Sequence, residues 1–277
     1  MLSLTAEQQE VYALAQEHAM HRAIPCCVPI VDPYIPSVHD GPERVLQSKF
    51  GGKFPLLTDD YTWPRCEICK STLAFFFQIN ETDLPMEGRA IISPESPSNP
   101  AMFQFFYCTE GQHLTCREVR SPCCARRVPL PSVAGAASQP PLSRDGTERA
   151  VIPDFVREEA EVFVDWDIQF RPITGFVSVW EFPFMEEDES GRIPPGLLDR
   201  MSRFFPMFNN TDHLGGDPGW SQGEEFPTCP QCEDLMTTVV FTLMSDVSVN
   251  YCFGDLGSGQ ICRCPRHPDR FGFVWAC

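Results

Sequence analysis

Residues 213–232 read HLGGDPGWSQGEEFPTCPQC, and residues 49–69 read KFGGKFPLLTDDYTWPRCEIC. Each stretch has a Gly-Gly pair, then an aromatic and proline-containing run, then Cys-x-x-Cys. Cys66 and Cys229 stand 163 positions apart, and the interval from Gly-Gly to the first cysteine is 15 positions in one copy and 14 in the other. Two cysteine pairs alone could be coincidence; two pairs with matching preambles indicate a duplicated unit. The glycines are expected to take φ > 0 and turn the backbone tightly ahead of each cysteine pair.

Short β-type runs surround both copies. TLAFFFQIN (72–80) and PAMFQFFYC (100–108) are dense in aromatics and bounded by turn residues, and LMTTVVFTLM (235–244) takes the place of 72–80 in the second copy. EVFVDWDIQF (161–170) and GFVSVWEFPF (175–184) read as two further strands, and PPGLLDRMSRFF (194–205) as a short helix with proline at its start. Residues 4–22 read as an amphipathic helix with Thr5 a candidate cap; CCVPIVDPYIPSV after it is too proline-rich for a helix and is expected to be extended. GDLGSGQ (254–260) lacks a strand–helix context and reads as a β-turn, not a phosphate loop.

The expectation is an α+β, mainly β fold with an N-terminal helix and two related β-rich halves. Residues 1–46 form the helix and lead-in, 47–127 the first half, 128–150 a Pro/Ser-rich linker or loop, and 151–277 the second half.

In a zinc ribbon, two turns distant in sequence each supply two ligands, and Cys-x-x-Cys lets two thiolates meet one ion from a tight turn. In the second half, Cys229 and Cys232 form one such turn and CRCPRH supplies Cys264 and His267 as the other, with Cys262 the fallback ligand. In the first half, Cys66 and Cys69 are followed by CTEGQHLTC, so the second pair is Cys108 with Cys116 or Cys108 with His113. Cys116 is favoured because a four-cysteine site leaves His113 as a loop residue; Cys123 and Cys124 are near enough to be rivals. Two structural zinc ions are therefore expected. A thioredoxin-type redox pair is the alternative, but such a pair opens a helix after a strand, whereas both pairs here precede strands. Cys26, Cys27, Cys252 and Cys277 read as buried small hydrophobes.

Fourteen cysteines in 277 residues are too few for a disulfide scaffold. The opening stretch MLSLTAEQQEVYALAQEHAM has acids where a signal peptide has basic residues, so a cytoplasmic or nuclear setting with reduced thiols is expected. No run approaches the roughly 20 apolar residues of a membrane span. Thirty-eight acidic against 21 basic residues give a net charge of −17, a field that repels phosphate backbones and anionic membranes and attracts a basic protein client. His18 and His21 read as exposed helix residues, and His39 with Asp40 and Asp212 with His213 as isolated loop pairs. No acid–base pair or nucleophile can be assigned, so no catalytic residue is expected.

SKFGGKFPLL, WPRCEICKSTLAFFFQIN and FQFFYC resemble the YwqG-like domain and the related N-terminal part of the programmed cell death protein 2 group, in which a strand with a glutamine such as Gln78 follows the cysteine pair. LGGDPGW, CPQC, FGDLGSGQICRCPRH and FGFVW are similar to both. The resemblance covers about residues 47–116 and 212–275. GGKFP places the first proline one position late, and Phe253 stands where tryptophan is usual. The resemblance implies a duplicated β-rich fold, zinc-bearing in the eukaryotic group, whose members are dedicated chaperones for a small-subunit ribosomal protein. Some bacterial YwqG-like members have been proposed as toxin-immunity proteins. The expectation is a non-enzymatic, zinc-stabilised module that binds a basic client, with a thiol oxidoreductase or an immunity protein as the alternatives.

Overall fold

The computed structural model describes residues 5–17, 24–31, 44–52, 55–109, 122–131, 171–181, 196–197, 199–200, 211–220 and 222–277. Helix α1 runs Ala6–Glu17 and α2 runs Met86–Ile92. The strands are β1 (Ile24–Val31), β2 (Lys49–Phe50), β3 (Ala74–Asn80), β4 (Ala101–Tyr107), β5 (Cys123–Pro129), β6 (Arg171–Glu181), β7 (His213–Gly215), β8 (Thr238–Met244), β9 (Ser258–Arg263) and β10 (Phe271–Ala276). The fold is α+β and mainly β, as two antiparallel sheets. They join through β6, whose Arg171 and Pro172 pair with β2 while Ile173–Glu181 pair with β1. The full strand order is β10-β9-β8-β7-β1-β6-β2-β3-β4-β5.

That order is a duplication in three dimensions. The series β2-β3-β4-β5 in one sheet matches β7-β8-β9-β10 in the other, each a run of antiparallel neighbours. Even the irregularities repeat: the ladders slip between Phe75 and Phe77 and between Val239 and Phe241. The Gly-Gly turns adopt the left-handed conformation expected of them, with φ of 67° and 95° at Gly51 and Gly52 and 70° and 78° at Gly215 and Gly216.

The sheets face each other across an aromatic core. Inward side chains of β3 and β4 meet those of β8 to β10, with ring centroids 4.6 Å apart for Phe77–Phe241, 5.2 Å for Phe103–Phe271 and 4.9 Å for Phe105–Phe273. Phe253 closes one end against Tyr107, Tyr251 and Phe273. The proline-rich lead-in forms β1, between β6 and β7. Proline cannot donate to a ladder, and β7 reaches only Cys26 and Cys27, leaving Pro25 and Pro29 outside its pairing. Helix α2 crosses this join: a Cβ at Gly88 would sit 3.1 Å from Cys27 Sγ and 3.4 Å from Leu214.

Several sequence expectations change. Asp212 and His213 are not a loop pair but are buried. Asp212 accepts from the backbone N–H of Met244 (2.6 Å) and Ser248 (3.1 Å), tying the start of β7 to the end of β8. The ring nitrogens of His213 lie 2.8 Å and 3.1 Å from the Thr211 and Asp217 carbonyls, and burial holds the imidazole below its ordinary pKa. Cys26 and Cys27 are buried, but Cys252 is half-buried and Cys277 exposed. Of the expected turn at 254–260, residues 254–256 form a turn, while Ser258, Gly259 and Gln260 open β9. The expected strand 161–170, most of the helix 194–205, residues 132–150 of the linker, and His18, His21 and His39 lie outside the described residues; Val128 and Pro129 end β5.

One ion pair with a fully buried carboxylate anchors the first half. Glu81 is fully buried in the 3-10 turn after β3; its carboxylate takes two hydrogen bonds from Arg127 (2.7 and 2.8 Å) and one from the Ala101 N–H (3.0 Å). Arg127 keeps 22% of its side chain exposed, so removing Glu81 leaves a partly hydrated cation and an unpaired Ala101 N–H. Glu81→Ala is expected to cost about 1–3 kcal/mol, read as a lower urea midpoint at unchanged slope.

Candidate metal centres

Each Cys-x-x-Cys pair sits in the same hairpin turn. In the first, isolated bridge pairing joins Arg65 to Thr72; Cys66 N donates to Ser71 O (2.8 Å), Lys70 N to Cys66 O (3.0 Å) and Leu73 N to Pro64 O (3.2 Å). In the second, Thr228 pairs with Leu235; Cys229 N donates to Asp234 O, Glu233 N to Cys229 O and Met236 N to Pro227 O, each at 2.8 Å. Every partner is displaced by the interval that separates Cys66 from Cys229. The residue after each second cysteine is left-handed, Lys70 at φ 67° and Glu233 at φ 62°. A residue with a Cβ rarely adopts that conformation, so its recurrence marks a turn whose shape is held by its surroundings.

The third ligand position comes from the strand after next. Strand β4 delivers Cys108 and β9 delivers Cys264, each just past its strand end. Cys108 N donates to Pro122 O (2.8 Å) and Cys264 N to Arg270 O (3.0 Å), so the connections from β4 to β5 and from β9 to β10 are pinned alike. The second connection is short and holds His267, whose carbonyl accepts from Arg270 N at 2.9 Å. The first is longer and holds His113 and Cys116; both lie outside the described residues.

The structure thereby brings Cys229, Cys232, Cys264 and His267 into one group and Cys66, Cys69 and Cys108 into another, with all ligand atoms of a group within 4.8 Å of one another. Cys232 Sγ and Cys264 Sγ are 3.6 Å apart, and His267 Nδ1 lies 3.7 Å from Cys229 Sγ and 3.6 Å from Cys264 Sγ. Cys69 Sγ and Cys108 Sγ are 3.5 Å apart. A disulfide requires about 2.05 Å. Zn–S bonds of about 2.3 Å and Zn–N bonds of about 2.0–2.1 Å, by contrast, place tetrahedral ligand atoms about 3.5–3.8 Å from one another. The donor sets and spacings therefore fit a tetrahedral metal ion, and both groups can hold one.

Burial grades the ligands. Cys66, Cys108, Cys229 and Cys264 are buried, Cys232 and His267 half-buried, and Cys69 exposed. A hydrogen bond from the Asp234 backbone, joined by Arg266 and the neighbouring thiols, pulls the Cys232 thiol down to about 6, while burial pushes Cys264 up.

The remaining cysteines flank these groups without joining them. Cys262, the fallback ligand, packs beside Cys229 and Cys264, but its thiol faces the Gln260 carbonyl at 3.9 Å and burial pushes it up. Cys124 packs against Cys66, Cys108 and Phe106, and Cys123 against the main core. Missing from the sequence reading were Arg266 and Asp234, which bracket the second group as an ion pair. In the sequence, Arg266 was visible only as a spacer between Cys264 and His267.

The family profile "Domain of unknown function (DUF1963)" matches residues 48–262, which span both Gly-Gly turns, both cysteine pairs and every strand from β2 through most of β9. The chain belongs to the DUF1963 family. The YwqG-like proteins are in that family, so that part of the sequence resemblance stands. The match starts at Ser48, at the head of the first repeat, and ends at Cys262, two residues before Cys264. Hence β10 and the Cys264–His267 turn, which complete the second sheet and the second metal group, lie beyond the DUF1963 match. No curated protein matches the chain. Among the described residues, no helix is long and apolar enough to cross a membrane.

Proposed function

We propose that this DUF1963 protein is a non-enzymatic binding module stabilised by two structural zinc ions, one in each half, and that it holds a basic protein segment. The observation that supports it most is the Cys229, Cys232, Cys264 and His267 group: four soft or borderline donors at tetrahedral separations, with no position left open for substrate. Bound there, zinc would supply cross-linking between the hairpin turn and the β9–β10 connection. In the first half Cys66, Cys69 and Cys108 would be joined by Cys116. The net charge of −17 selects a basic client, and the resemblance to the programmed cell death protein 2 group narrows it to a ribosomal protein before assembly.

Elemental analysis of purified protein tests the first part: two zinc ions per chain are expected, and none would overturn the reading. Binding of a lysine- and arginine-rich peptide tests the second; its affinity should fall steeply between low and high salt. An affinity that is flat across salt removes charge as the selector.

The lowered Cys232 thiol favours a second reading, a thiol oxidoreductase. Rapid alkylation of Cys232 in metal-loaded protein would support it; alkylation that waits for a chelator supports zinc.

A further inference from the structure

Three thiolates and a neutral imidazole around a divalent ion leave about one net negative charge on the centre. One arginine stands against that charge, Arg266; the other on this stretch, Arg263, has Glu95 as its first acidic neighbour. Arg266, on the turn between Cys264 and His267, donates to the Cys232 carbonyl at 3.3 Å and hydrogen-bonds the Cys232 thiol, while its guanidinium is ion-paired with Asp234. Arg263 is the last residue of β9 and is only 7% exposed. Its Nε is buried with no acceptor among the described residues, and the acidic groups near enough to act on it are Glu95 and the Cys264 thiol.

We propose that Arg266 is the counter-charge of a metal–thiolate centre at Cys229, Cys232, Cys264 and His267, set beside the half-buried ligand Cys232. This rests on the reading that the group holds zinc. Arg266 is a positioning residue: it does not coordinate the ion, and it stabilises the thiolate state in which the ion is held. Arg270 is the internal comparison. It lies on the same connection but reaches Gln231 Oε1 at 3.3 Å and Asp269 at 3.8 Å rather than a ligand thiol.

The test loads the full chain with zinc and follows transfer to a chromophoric chelator, with the thiolate-to-metal charge-transfer band of the cobalt form as a second readout. Removing an outer partner of a metal site costs roughly 10–100-fold in metal affinity. Arg266→Gln should therefore release zinc from this group at least about tenfold faster, Arg266→Lys should fall between it and the parent, and Arg270→Gln should match the parent. Arg266 is at an exposed position, so Arg266→Gln is expected to keep the fold. If the parent chain loads metal and Arg266→Gln releases it at the parent rate, the proposal is wrong while the zinc reading survives. If the parent chain takes no metal at these four residues, both fall together.

Discussion

On the zinc reading, Cys264→Ser is expected to strip metal from the second group and collapse the sheet built on it. Structural zinc contributes an apparent 10–16 kcal/mol or so at neutral pH, comparable with or larger than the roughly 5–15 kcal/mol that separates a folded domain from its unfolded chain. The thiol lost is fully buried just past β9, in a connection tied by the Cys264 N–H to the Arg270 carbonyl and by the Arg270 N–H to the His267 carbonyl. Elemental analysis should fall by one ion per chain, and the near-ultraviolet signal of the packed aromatics should be lost well below the parent melting temperature. Cys262→Ser is the paired control. Its thiol lies outside the four-atom group, so the variant should keep its full metal content and lose only the about 1–3 kcal/mol of a hydroxyl buried without a good partner. Metal loss from Cys262→Ser together with retention in Cys264→Ser would reverse the ligand assignment.

The duplication was legible because its signals are local. Gly-Gly turns and Cys-x-x-Cys hairpins depend on a few adjacent residues, so their spelling survives in both copies. What was illegible depends on residues far apart. Nothing about CCVPIV announces that β1 will lie between β6 and β7, because its pairing is with residues 173–181 and 214–215. His213 and Asp212 read as a loop pair because their burial is conferred by β8 and by the 245–249 turn, not by their neighbours. The polar residues crossing each sheet were equally hidden. Lys49, Gln78, Gln104 and Arg126 lie in one register row. Gln78 takes the Leu56 N–H at 2.9 Å and Gln104 donates to Leu56 O at 2.8 Å, so the row fastens the preamble loop and thereby sets the first cysteine turn. The matching row, His213, Thr242, Gln260 and Val274, has diverged: valine stands in place of arginine, and Thr242 Oγ1 and Gln260 Oε1 have no partner among the described residues. Duplicated backbones have kept the geometry of the cysteine turns while the polar fastening behind it changed.

Divergence of that kind is possible only if the shared core carries the halves jointly, and Phe77→Ala tests this. Phe77 is fully buried, with ring centroids at 5.8 Å from Phe50, 6.0 Å from Phe103, 5.8 Å from Phe105 and 4.6 Å from Phe241 on the opposite sheet. Truncating such a ring costs about 3–5 kcal/mol through lost transfer energy and the cavity left behind. The closest contact crosses between the halves, so the loss should appear in both. Urea unfolding followed at the first half by Trp63 fluorescence, and at the second by metal release from the Cys₃His group, should give coincident transitions that shift together. A double-mutant cycle with Phe241→Ala should show a coupling of about 0.5–1.5 kcal/mol for the ring pair. Two separated transitions, with only the first moved by Phe77→Ala, would mean that each half stands on its own cysteine group. Coincident transitions would mean that neither group can open without the aromatic layer between them giving way.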